Sequence, residues 1–87
     1  MAPKTSIVTL RTTTGDFETD YELSAHLPLG QLAPLVCESL AKQEPRRFAR
    51  WKGLCFCRDG YPLPDSDTLS DLGIWDGSIL NIEEGKP

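Results

Sequence analysis

A chain of 87 residues, 39% apolar and 25% charged, suffices for one small globular domain with a modest core. It contains no run of about 18 apolar residues, so these residues are not expected to enter a bilayer directly. The net charge of −4 argues against sequence-independent nucleic-acid binding, which needs many phosphate-facing cations.

Met1-Ala2-Pro3-Lys4 lacks a basic and apolar leader and reads as a plain cytosolic start. Ser6 to Thr12 is rich in β-branched residues and ends at the turn signal Thr14-Gly15-Asp16, which predicts a first strand. From Asp16 the chain alternates. Phe17, Thr19, Tyr21, Leu23 and Ala25 share one face, and Asp16, Glu18, Asp20, Glu22, Ser24 and His26 the other. A strand with one wet face belongs to a sheet covered on one side, so the first two strands form a hairpin.

Leu29, Leu32, Ala33, Val36 and Leu40 then mark one stripe of a helix. Pro34 is tolerable if the helix starts near Gly30 or Gln31, because the first four amides have no acceptor within the helix. Pro45 ends it by Gln43 or Glu44. Arg50 to Arg58 is predicted as a strand, with Leu54 and Phe56 on one face and Cys55 and Cys57 on the other. Asp59-Gly60 turns it back into an irregular stretch from Pro62 to Ser70. Leu69, Leu72 and Ile74 are its predicted inward anchors, and Asp76-Gly77 leads into a last strand with Leu80 and Ile82 inward. The order is β-β-α-β-(short strand or turn)-β in one α+β domain, with a core at about 5–83 and a polar tail at 84–87. The last strand is expected to pair with the first, in parallel, inside a mixed sheet of four or five strands, with the one main helix across one face.

Leu54-Cys55-Phe56-Cys57, followed by Leu63, Thr68-Leu69-Ser70-Asp71, Ile74, Leu80 and Ile82, is similar in spacing to the closing third of ubiquitin, a β-grasp fold. Two further patterns resemble the bacterial ubiquitin-like family of type VII (WXG100, ESX-type) secretion. One is Leu27-Pro28 with Gln31-Leu32 and Pro34-Leu35-Val36; the other runs from Asp59-Gly60 through Gly73-Ile74 and Asp76-Gly77 to Leu80. That family comprises the small cytosolic YukD/EsaB proteins and the cytosolic N-terminal domain of the EccD membrane subunit. The resemblance implies a non-enzymatic interaction module, cytoplasmic or at the inner face of the plasma membrane, whose partners are secretion-machine components. EccD-type domains are also expected to pair with themselves, so a homodimer belongs among the expected partners.

Departures from ubiquitin bear on the alternative, a carrier or modifier used in covalent chemistry. The chain closes Glu84-Gly85-Lys86-Pro87, without the Gly-Gly that is adenylated and conjugated. By the same spacing, the aliphatic patch through which ubiquitin is read falls near Thr13, Cys55 and Glu83, so ubiquitin receptors are not expected to bind.

No catalytic constellation is found. Cysteine catalysis needs a thiolate and a base in reach, and nothing orders His26 against a thiol. Cys37, Cys55 and Cys57 are an odd set that fits reduced thiols. Cys55 and Cys57 share a strand face, but tetrahedral zinc wants four ligands, so no metal is expected. Asp65, Asp67 and Asp71 lack the calcium-loop pattern, and no phosphate-binding loop calls for a cofactor. What remains is surface. Five of the nine cations, Arg46, Arg47, Arg50, Lys52 and Arg58, crowd into one stretch after the helix. Arg46, Arg47, Arg50 and Lys52 beside Trp51 form a basic edge suited to an acidic partner. Trp51, assigned by strand parity to the cysteine face, and Trp75 before a tight turn are further candidate anchors. The acidic row of Asp16, Glu18, Asp20 and Glu22 reads first as a solvated face.

Overall fold

A computed structural model describes residues 4–85. The starting segment before Lys4 and the Lys86-Pro87 end of the expected tail lie outside them. Strands β1 (Thr5–Thr12) and β2 (Glu18–Ser24) form the predicted hairpin, with Val8 opposite Tyr21 and Leu10 opposite Thr19. The period of two sends Val8 and Leu10 into the core and Ile7 to the open face. Glu18, Asp20 and Glu22 of the acidic row emerge on that open face, whereas Asp16 lies in the turn before β2 and accepts from the Thr12 and Thr14 hydroxyls. On the open face Arg11 meets Glu18 at 2.7 Å, and the Thr9 hydroxyl donates to Asp20 at 2.8 Å.

Helix α1 (Leu29–Gln43) buries Leu29, Leu32, Val36 and Leu40 against the sheet. It begins slightly earlier than predicted, which makes Pro34 its sixth residue. Two amides at the helix start that have no acceptor within the helix are satisfied from outside: Leu29 donates to the Asp67 carbonyl and Gly30 to the Asp65 carbonyl, each at 2.9 Å. The irregular stretch after Pro62 thus caps the helix and extends its anchored start. Pro34 stands exposed.

Residues 45–53 correct the sequence reading. The predicted strand from Arg50 is shorter: a one-turn helix α2 (Pro45–Phe48) comes first, then an irregular stretch, and β3 covers Leu54–Arg58. Pro45 has the fixed φ that suits a first helical position. Phe48, 1% exposed, is drawn into the core and pulls the segment across the end of α1. The Trp51 amide then donates to the Phe48 carbonyl, so Trp51 belongs to a turn and strand parity says nothing of its direction.

Asp59 (φ 54) and Gly60 (φ 83) make the left-handed two-residue turn into β4 (Tyr61–Pro62). Strand β5 (Ile79–Glu84) runs one residue into the predicted polar tail, because Glu84 still pairs with Leu54. The sheet order is β2-β1-β5-β3-β4. Its middle pair, β1 with β5, is parallel, as predicted, with Leu10 beside Leu80 and Thr12 beside Ile82. In the loop before β5, Leu69 and Ile74 are buried and Leu72 is half-buried. One core therefore lies between α1 and the inner sheet face, and the opposite face stays open.

Candidate functional site

The predicted basic edge divides into two groups. Arg47 leaves it: its guanidinium reaches Asp16 at 2.5 Å and lies 5.5 Å from the centre of the Phe17 ring. Phe17 meets Phe48 edge-on at 5.1 Å, and Phe48 meets Trp51 edge-on at 4.8 Å. This chain of contacts fastens α2 to the hairpin turn and leaves Trp51 half-buried. Arg46, Arg50 and Lys52 remain exposed and make no ion pair among the described residues. They are the free cations of the corner. Arg58 sits elsewhere and donates to the Leu72 carbonyl at 2.9 Å.

Lys52 borders a shallow groove of 410 Å³ between α1 and the Trp51–Leu54 stretch. The small residues Gly30, Ala33, Cys37 and Ala41 form its floor, and Glu38 and Asp65 flank it. A second, more apolar groove of 290 Å³ runs between α1 and β2, lined by Tyr21, Leu23, Leu27, Leu32 and Leu35 among others. Leu35 is 60% exposed. The sequence analysis used Leu27 and Leu35 for the family resemblance but not as surface candidates; for Leu35, its place off the buried stripe of α1 was the available signal. β2 is also an outer strand of the sheet, so one of its backbone edges is unpaired.

Trp75, 46% exposed, sits apart from the basic corner. Its turn is fastened to β1, because Ile7 donates to the Asp76 carboxylate at 2.7 Å and Gly77 to the Ile7 carbonyl at 2.9 Å. Ile7 and Ile79 emerge nearby on the open face of adjoining strands. Trp51 and Trp75 thus do not form one surface.

The open face also carries the two cysteines of β3. Cys55 is half-buried and Cys57 buried, with sulfurs 3.8 Å apart. Burial, then the hydrogen bond with Cys55 and the nearby Glu83, pushes the Cys57 thiol up to about 12. Burial, then the charge of Glu84, also raises Cys37. These are poor nucleophiles at neutral pH. His26 is exposed, and its amide approaches Ser24. Among the described residues no helix is long and apolar enough to cross a membrane.

A mixed sheet with a parallel central pair, one long helix across its inner face and a looped crossing into the last strand define a ubiquitin-like β-grasp domain. The family profile of the WXG100 protein secretion system (Wss) protein YukD matches residues 5–82. The chain belongs to that family, and so is a ubiquitin-like module associated with type VII secretion.

Solved structures agree on the fold. The EccD5 ubiquitin-like domain from Mycobacterium xenopi superposes with a TM-score of 0.80 at 20% identity, over 98% of this chain and 99% of that one. The ubiquitin-like domain of the Mycobacterium tuberculosis type VII secretion system protein ECCD1 gives 0.74 at 28% identity, over 94% and 98%. A chain of the MycP5-free ESX-5 inner membrane complex gives 0.77 at 19% identity; 98% of this chain matches, but it spans only 22% of that longer chain. No curated protein sequence matches the chain.

Proposed function

We propose that this domain is a non-enzymatic docking module that joins components of a type VII secretion machine on the cytoplasmic side of the membrane. Membership of the YukD family over residues 5–82 carries this reading. The surface chemistry is consistent with it. Arg46, Arg50 and Lys52, without an ion pair among the described residues, offer cations beside a half-buried tryptophan, suited to an acidic face on a partner. Cys37 and Cys57, whose thiols are raised, offer no activated nucleophile.

The alternative of a conjugated modifier meets a physical objection. A tail that is adenylated has to leave the domain as a free extended strand. Here the Gly85 amide donates to the Gly53 carbonyl at 2.9 Å, and a β-carbon placed on Gly85 would come within 3.1 Å of the Leu54 backbone nitrogen.

Affinity capture of the tagged protein from detergent-solubilised native cells tests the proposal. It predicts recovery of a secretion ATPase, a polytopic channel subunit or WXG100 substrates. Recovery of an adenylating enzyme or covalent adducts, without membrane machinery, would overturn it.

A further inference from the structure

On the open sheet face, β3 and β5 bring together three donors that are distant in sequence. Cys55 and Cys57 point to the same side of β3 with their sulfurs 3.8 Å apart. Glu83 stands opposite Cys55 on β5, and its carboxylate and both sulfurs all lie within 4.8 Å of one another. We propose that Cys55, Cys57 and Glu83 form a binding site for a thiophilic divalent cation of the zinc class, with the fourth coordination position open to solvent. The proposal is independent of the docking function above.

The geometry argues for an ion and against a disulfide. Zinc–sulfur bonds of about 2.3 Å at a tetrahedral angle place two thiolates about 3.8 Å apart. A disulfide instead needs the sulfurs at about 2.05 Å and the β-carbons at about 3.8 Å. Alternate residues of an extended strand stand about 6.6 Å apart with parallel side-chain directions, which keeps the β-carbons too far apart. The pleat of β3 therefore holds two thiols that an ion can bridge and that cannot readily bridge each other. Glu83 is exposed, so rotation of its side chain can bring an oxygen to the ion.

Donor type selects the class of cation. Two sulfurs and a carboxylate oxygen fall within the zinc ligand set, whereas calcium and magnesium take oxygen alone. On binding, both S–H bonds break, two sulfur–metal bonds form, and the two protons leave to buffer with no electron transferred. The cation also answers the charge of Glu83. Sequence spacing did not reveal this site because its third donor arrives only when β5 pairs with β3.

Titration of the thiol-reduced 87-residue chain with Co²⁺, followed by Zn²⁺ displacement, tests the assignment. One Co²⁺ per chain is expected, with a near-ultraviolet thiolate-to-cobalt charge-transfer band and the strong visible bands of tetrahedral coordination. One equivalent of Zn²⁺ should bleach both. Cys55→Ala and Glu83→Gln change positions that are not buried, and circular dichroism confirms that each variant keeps its fold. Cys55→Ala should abolish the charge-transfer band, Glu83→Gln should weaken Co²⁺ binding at least about tenfold, and Cys37→Ala should leave the signal unchanged. Weak octahedral spectra alone, or binding that survives Cys55→Ala or Glu83→Gln undiminished, would overturn the proposal.

Discussion

Asp16 closes the hairpin turn by accepting from the Thr14 hydroxyl at 2.6 Å and the Thr12 hydroxyl at 2.7 Å, and it also receives Arg47. These bonds, Thr14 first, hold its carboxyl well below the usual value of 3.8. A carboxyl depressed on folding stabilises the native state fully above its unfolded value and loses that effect as pH falls through the folded one. Asp16→Asn should therefore destabilise the domain at pH 7, and the gap from wild type should narrow below about pH 4. Urea unfolding at pH 7 and pH 3 measures the gap; a constant gap would contradict the assignment. Ser6 presents the opposite case. It is fully buried, and its hydroxyl oxygen has no hydrogen-bond partner among the described residues. Removing an unsatisfied polar group costs little, so Ser6→Ala should be neutral or stabilising by about 1 kcal/mol in thermal unfolding.

At the scale of elements, α1 contains a proline where its hydrogen-bond ladder has begun. Interior prolines cost about 3 kcal/mol, but proline also restricts the unfolded chain by up to about 1 kcal/mol. Pro34→Ala should thus raise stability by about 1–2 kcal/mol, read as a higher midpoint in urea with an unchanged slope. A lower midpoint would mean that the proline ring makes a packing contribution that its exposure does not suggest.

The strands and α1 were legible because alternation and the 3.6-residue stripe record which side faces the core. Val8, Leu10, Leu29, Leu32, Leu40, Leu80 and Ile82 all face inward as those periods require. Residues 45–53 were not legible. The burial of Phe48 there depends on Phe17 and Trp51, contacts that no local period encodes. The same limit applies to the surface. Sequence grouped Arg46, Arg47, Arg50, Trp51 and Lys52, but the remote Asp16 and Phe17 draw Arg47 away, and the aromatic contact half-buries Trp51.

For the whole molecule, the parallel β1–β5 pair encloses a single core beneath α1 and leaves the functional potential on separate surfaces. Arg46, Arg50 and Lys52 occupy the corner after α1, and the apolar groove at Leu27 and Leu35 lies beside β2. All three cations are exposed and outside the core, so reversing their charge should not affect the fold. The most direct test of docking compares capture by wild type and by the Arg46→Glu, Arg50→Glu, Lys52→Glu triple variant, each expressed at native level. The account predicts that wild type retains the secretion-machine subunits and that the folded variant loses most of them, with the wild-type yield falling as salt rises. Equal recovery of those subunits by the two proteins would contradict the basic corner as the docking surface, and their absence from both would contradict the docking function itself.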